Sequence, residues 1–384
     1  MKPVTIVAAL VLGSASLLSL GVHPILLGGL EEAGRLSKAG IGQTATLELF
    51  CLALGAAIGG YRMGRSAMRV KTAIVTLGLV AINIATAQAE TMAMVLLSRA
   101  IAGFLSGLLY GAANAIIVRS DNPDRLTGIL VGGSMIPSVV LAYVIPVFLI
   151  PDFGIGAGFY ALAACMIVAS VFVVGLVDKV SVLERSERIQ GWFNLPLILF
   201  AVAIVLQSGG LGAAWAYIER LADQHSFGPS VVGLAVAGSL GSQVAAAWSS
   251  AWIVPKVPKS PALLLLAVTQ AGFIALCIVT DSSAAFITSV CIFGGAAAAM
   301  QAFQVAQIIA LDPTRRTAVL VSPLILFGNG SGPLIASFVT TEVDVRGGSW
   351  AAAVMTAASA LFFLASLFRF SRTNTRSPLP SAYS

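Results

Sequence analysis

Two residues of opposite charge, Glu48 and Arg99, stand in stretches of sequence that are otherwise apolar. A charge at bilayer depth costs ~2.5–3.5 kcal/mol on insertion scales, so each needs a reason. One reason is proton coupling. A nearby cation favours the carboxylate and burial favours the neutral acid, so a rearrangement that moves Arg99 relative to Glu48 can drive proton uptake and release. The other reading is a static structural pair, or a Glu48 that simply faces water. His23 is the one histidine inside such a stretch, next to Pro24. An ordinary imidazole pKa of about 6.5 suits a proton relay or a donor to a solute. Pro24 would unwind the helix and free carbonyls, and His23 can equally be a cap on that kink.

Neutral polar residues supply the second set of candidates. Gln301, Gln304 and Gln307 recur every third position, and Gln207, Gln243 and Asn329 are single amides in other apolar stretches. Steps of three or four place Arg99, Gly103, Gly107, Tyr110 and Asn114 on one helical face. Amides bind hydroxyl or carboxyl groups without fixing a charge type, or act as interhelical glue worth ~0.6 kcal/mol each. Trp215, Tyr217 and Trp248 either line a pathway or belong to packing and the interfacial aromatic belt. Glu31, Glu32, Glu219, Asp223 and His225 fall at the outer ends of stretches, where solvation is expected. His225 has no neighbours at metal-ligand spacing, and neither a metal nor a cofactor is expected. Cys51, Cys165, Cys277 and Cys291 lie within apolar stretches, so no disulfide framework is implied.

The elements that must position these residues follow from composition. Of 384 residues 58% are hydrophobic and 10% charged, with a mean hydropathy of +0.95. Soluble domains carry about 25% charged residues, so a polytopic membrane protein is expected. The runs are long and lack strand-type alternation, which makes them helices rather than barrel strands. Twelve spans are expected, near 4–29, 43–61, 70–89, 91–118, 126–150, 156–177, 195–220, 229–254, 260–280, 283–311, 317–340 and 348–370. The first is kept as a span because it outlasts a signal-peptide core and meets no clean small-x-small site.

Loop charges orient the spans. With the N-terminus inside, seventeen of the 22 Lys and Arg residues fall in inner segments. Only Arg35, Lys38, Arg220 and Arg346 fall outside, and Arg99 lies in a span. This bias predicts both termini in the cytoplasm. The net charge of +6 is therefore a topology signal and not a nucleic-acid surface.

At an offset of 191 residues, Gly42 matches Gly233, Arg65 matches Lys256, Glu90 matches Asp281 and Gly103 matches Gly294. Asp121 and Arg125 likewise match Asp312 and Arg316. Charged coincidences are rare when one residue in ten is charged, so two parallel six-span repeats are expected, with a solute site between them near the midplane. The expected boundaries are 1–177, a cytoplasmic linker 178–194, a second half 195–370 and a disordered tail 371–384.

The loop after the second span reads Gly60-Tyr61-Arg62-Met63-Gly64-Arg65, with Arg69 and Lys71 following. It resembles the signature loop of the major facilitator superfamily, Gly-x-x-x-Asp-Arg-x-Gly-Arg, through Arg62, Gly64 and Arg65. Ala57 stands for the first glycine and Tyr61 for the aspartate, which removes the ion-pair part of the family's conformational latch. Charge bias alone would also place four cations in such a turn. The fourth span is similar to the family's Arg-x-x-x-Gly-x-x-x-Gly segment at Arg99, Gly103 and Gly107. The glycine-rich fifth span typical of the family's antiporters is poorly formed: Gly132, Gly133 and Pro137 are present, while a Gly-Pro step occurs only at Gly332-Pro333.

The resemblance implies an all-α fold of two pseudo-symmetric six-helix halves and a secondary transporter that works by alternating access, with protons as coupling ion. The expected cargo is a small organic solute, an organic or aromatic acid being one that Arg99 could meet. The alternative is proton-driven efflux of drugs or metabolites, with Glu48 meeting cations. No hydrolase or phosphate-binding motif supports an enzyme, and no filter loop supports a channel. The expected setting is a bacterial inner membrane, with the chain working as a monomer among lipids.

Overall fold

The computed structural model describes residues 2–117, 119–120, 123–179, 195–311 and 321–374, and every regular element among them is helical. In chain order these are α1 (Pro3–Ser16), α2 (Leu18–Gly21), α3 (His23–Glu32), α4 (Lys38–Arg62), α5 (Met68–Ala87), α6 (Met92–Ile117) and α7 (Pro123–Val144). They continue as α8 (Ile150–Phe153), α9 (Gly156–Ser170), α10 (Leu195–Gln224), α11 (Pro229–Ile253) and α12 (Lys259–Val279). The last three are α13 (Ser283–Leu311), α14 (Val321–Val339) and α15 (Arg346–Asn374). A π-helical turn, Ile145–Leu149, joins α7 to α8 as one bent span.

Ten helices among the described residues are long and apolar enough to cross a membrane. The first expected span appears as the broken series α1 to α3. The eleventh is described only from residue 321, as α14. Of the expected linker 178–194 only Asp178 and Lys179 fall within the described residues. The last helix runs to Asn374, past the expected boundary at 370, and residues 375–384 lie outside the described set.

The break in the first span has a local cause. Pro24 has no backbone N–H, and its ring excludes the carbonyl four residues earlier, that of Leu20. The helix stops at Gly21 and restarts at His23, with Val22 at φ −107°, ψ 11°. The orphaned Leu20 carbonyl is not left dry: the Trp215 indole N–H on α10 donates to it at 3.1 Å.

Helices before residue 179 pack chiefly on one another, α4 against α6 most extensively, and helices after 195 do the same. The repeat carries into packing, because α11 and α13, the counterparts of α4 and α6, form a close pair in the second group. Contact between groups runs through α4 with α14, α7 with α11, and α3 with α10.

Three apolar clusters describe how the groups meet. One joins Leu26, Leu30 and Ile41 of the first group to Tyr217, Leu221 and Ala336 of the second, at the end the charge pattern makes the outer one. The other two stay within single groups at the opposite end, around Leu12, Met68 and Ile116 in one and Phe200, Leu263 and Met300 in the other. The apolar cluster shared by the two groups lies at the outer end, while toward the other end contact between described residues continues through Phe50 with Phe327 and Gly132 with Trp248.

The α4–α6 seam depends on glycine at close approach. A Cβ on Gly103, Gly107 or Gly111 would lie 2.2, 2.1 or 2.2 Å from the carbonyl oxygens of Glu48, Leu52 and Ala56. These contacts repeat every fourth residue, so two backbones run together where side chains would hold them apart. Gly107→Leu is expected to destabilise the purified protein by at least ~1–3 kcal/mol, the usual cost of overpacking. Gly272→Leu, at a position with open space around it, should leave thermal unfolding nearly unchanged.

Candidate functional site

The broken first span aims His23 at α4. Its Nε2 sits 2.7 Å from Glu48 Oε2, and His23 and Glu48 are both buried. Arg99 reaches the same carboxylate from α6, with Nε donating to Glu48 Oε2 at 3.0 Å and Nη2 bonded to Oε1. Ser19 donates to Glu48 Oε1 at 3.0 Å, and Arg99 Nη1 donates to Asn83 Oδ1 at 3.2 Å. The Phe159 ring covers the guanidinium at 5.5 Å. The two charges in the spans therefore meet, and five elements share the cluster: the broken first span, α4, α5, α6 and, through Phe159, α9.

Ser19 and Asn83 were not singled out in the sequence. Their signal was present but faint, a serine and an asparagine in apolar spans without charge to mark them. Removing one member of such a pair strands the other in low dielectric, at ~3–5 kcal/mol. Glu48→Gln is therefore expected to destabilise the protein on that scale in thermal unfolding. Glu48→Gln with Arg99→Met should lose clearly less than the sum of the two single losses, and simple additivity would mean that they do not act as a pair.

A cavity of about 250 Å³ lies between the two groups of helices. His23 is on its wall, and so are Trp215, Gln243, Gln301 and Asn329, with Ser134 and Ser138 opposite. Arg99 and Glu48 are not on this wall. The idea that Arg99 meets an acidic solute is corrected in this respect: its donors are spent on Glu48, Ser19 and Asn83, and it is 1% exposed.

The amides divide. Gln243, Gln301 and Asn329 line the cavity. Gln207 and Gln304 do not: Gln304 Nε2 donates to Gln207 Oε1 at 3.0 Å, and Gln207 Nε2 donates to Gln270 Oε1 at 2.8 Å. All three are buried, a bridge among α10, α12 and α13 that the sequence reading missed because Gln270 was not considered. Gln307 accepts from Ser260 at 3.4 Å. Tyr110 and Asn114 are off the cavity wall as well, and the Asn114 amide donates to its own helix at the Tyr110 carbonyl, 3.1 Å away. Trp248 is 61% exposed, whereas Tyr217 is fully buried.

The outer mouth is shut, and this corrects the expectation that its charges are solvated. Arg220 on α10 is 6% exposed and bridges to Glu31 on α3 at 2.8 Å and to Glu219 beside it. The Glu31 and Glu219 side chains are each 14% exposed, while Glu32 and Asp223 stay in water at 3.7 and 3.6 Å from the guanidinium. His225 is also buried, stacked on Phe227 at 5.5 Å. Next to this network the Tyr217 hydroxyl accepts from the Gly42 backbone N–H at 3.2 Å. A Cβ on Gly42 would lie 2.2 Å from the Pro333 carbonyl oxygen, so only glycine lets α4 and α14 close there. In the outer loop before α15, the Arg346 backbone N–H and the Gln224 amide hold the Asp344 carboxyl below its usual range.

At the inner end the loop Gly60, Arg62, Gly64 and Arg65 closes in a 3-10 turn, Met63–Arg65. Arg65 stacks over the Tyr61 ring at 3.9 Å, so the tyrosine in the aspartate's place holds the cation by its face. Arg69 bonds the Leu176 carbonyl and lies 3.8 Å from Asp178, which ties α5 to the start of the linker. Among the described residues no group of three or more His, Cys, Asp or Glu could hold a metal ion.

No family model matches the chain, and no curated protein matches it in sequence. Solved structures do match it. A mutant of the nucleoside transporter NupG superposes with a TM-score of 0.74 at 14% identity, over 96% of this chain and 99% of that one. A bacterial homologue of the human lysosomal transporter Spinster, inward-facing and unoccupied, gives 0.70 at 14% identity over 100% of both chains. The same protein, inward-facing and occupied, gives 0.69. This chain has the major facilitator fold. The fold agrees with the loop at Arg62 to Arg65 and with the Arg99 segment, which carried the resemblance in the sequence.

Proposed function

We propose that this chain is a secondary active transporter that moves a small organic solute by alternating access, coupled to protons through Glu48. The observation that carries this reading is the cavity itself: it lies between two groups of helices that share an apolar cluster at the outer end, and both groups contribute polar side chains to its wall. Transport by the nucleoside carrier and the Spinster homologue, proteins of the same fold, supports it at the level of analogy. In this reading the chain spans a bacterial inner membrane twelve times as a monomer, with both termini in the cytoplasm and halves at 1–177 and 195–370.

His23 gives the coupling a route. It is the link between the cavity wall and the buried carboxylate, so a proton arriving through the cavity reaches Glu48 by way of the imidazole. Protonated Glu48 no longer balances Arg99, and the pair must rearrange. Uptake and export use the same pair, and the direction in which solute moves against an imposed proton gradient decides between them.

Counterflow in proteoliposomes is the primary test, since exchange acceleration requires alternating access and a channel shows none. Glu48→Gln is expected to retain counterflow but to lose gradient-driven accumulation by tenfold or more. Full accumulation in that variant would end the coupling role of Glu48.

The gate gives an independent check on alternating access. Gly42→Leu should block closure of α4 on α14 and hold the outer mouth open. Labelling of Met135→Cys, on the cavity wall, by a membrane-impermeant maleimide from the outer side should then rise at least tenfold over the same cysteine with Gly42 intact.

A further inference from the structure

The cavity wall carries a property that the two charged residues conceal. The chain has one acid and one base deep in its spans, and each satisfies the other away from the cavity. What faces the cavity is neutral. His23 is its one titratable side chain among the described residues, and that imidazole already spends Nε2 on Glu48. The remaining polar wall is amide and hydroxyl, from Gln243, Gln301, Asn329 and Ser138, set among leucines and the Trp215 indole.

We propose that the central cavity takes an uncharged solute with hydrogen-bonding edges and an apolar body, and rejects solutes bearing a fixed charge of either sign. This rests on the carrier reading only in calling that occupant the transported solute. A fixed charge that leaves water for this wall meets no counter-ion, and its desolvation goes uncompensated. A neutral donor or acceptor loses only hydrogen bonds to water that amides can replace.

The wall has unused capacity for that replacement. Asn329 lines the cavity and its Oδ1 is buried without a partner, so a rotation of this amide would turn a spare acceptor to a solute N–H or O–H. Gln243 Nε2 has only a long contact, 3.5 Å to Ser239 Oγ, and is free to shift toward a solute acceptor. Trp215 cannot drift, because its N–H is held by the Leu20 carbonyl. It forms a fixed apolar wall that joins the second group of helices to the break in the first span.

The test reads the cavity without knowing the solute. Met135→Cys places a thiol on the wall, and Val343→Cys, at a position 86% exposed, serves as the reference in water. Full-length purified protein is treated with three methanethiosulfonates of similar size: neutral hydroxyethyl, cationic trimethylammonioethyl and anionic sulfonatoethyl. Rates are taken above the background of the four native cysteines. Relative to Val343→Cys, both ionic reagents should react at Met135→Cys at least tenfold more slowly than the neutral one. Gln301→Cys, also on the wall, repeats the comparison should Met135→Cys fail to fold. Adding Asn329→Asp should bring the cationic reagent close to the neutral rate and slow the anionic one further. An ionic reagent that comes within threefold of the neutral one in the parent variant overturns the assignment. No transport enters this measurement. A neutral-selective cavity in a protein without counterflow would overturn the carrier reading and leave the ligand class standing, and the converse holds equally.

Discussion

The structure turns on a hydrogen bond that Pro24 cannot make. In lipid every backbone group must find a partner within the protein, so a missing donor in the first span creates an obligation. The Leu20 carbonyl meets it through Trp215, a residue of the other group of helices. That single repair joins the groups beside the cavity and fixes one wall of it. The helix restarts at His23, which directs the imidazole to Glu48. Glu48 in turn is tolerable at that depth because Arg99 reaches it along a glycine seam on which α4 and α6 nearly touch. The kink, the wall and the relay trace to one proline, and the ion pair to the glycine seam. An unbroken first span would turn the residue at 23 to a different bearing and leave the carboxylate to Arg99 and Ser19.

The repeat makes the chemistry's one-sidedness visible. At the offset of 191, the counterparts of His23, Glu48 and Arg99 are Ala214, Ser239 and Val290. Conversely Gln207, Gln270 and Gln304 stand where the first half has Ser16, Leu79 and Ala113. One copy keeps a cluster of ionisable side chains, and the other keeps a bridge of neutral amides. The bridge links α10, α12 and α13 through two amide hydrogen bonds and leaves Gln270 Nε2 and Gln304 Oε1 buried without partners.

Much of this was legible in the sequence, because charge and glycine are rare signals in an apolar chain. Glu48 and Arg99 stood out by type, the seam by the spacing of Gly103 and Gly107, and the break by Pro24. What was not legible was rotation about each helix axis. Soluble helices reveal their buried face through polarity, but here lipid and core are both apolar. Gln301 and Gln304 show the consequence. Three residues at 3.6 per turn leave them about 60° apart, which suffices to put one on the cavity wall and the other in the amide bridge. The solvated reading of Glu31 and Glu219 failed for a related reason. Being near a span end says nothing about whether the two halves are closed over it, and in this state they are.

The closed outer end and the permanent seams differ in material, and the difference suits a moving part. Within the first group, α4 and α6 meet backbone to backbone through glycine, a contact with nothing to gain from water. Across the groups, the mouth is held in part by Arg220 with Glu31, with Glu32 and Asp223 already in solvent nearby. When that mouth opens the charges regain hydration, so the desolvation they suffered on closing is returned and the net change is small. The Gly42 approach to Pro333 sets how near α4 and α14 can come, while the ion pairs join the neighbouring α3 and α10. A gate built only of leucines at this boundary would instead expose apolar surface to water each time it opened, at a cost proportional to the area uncovered.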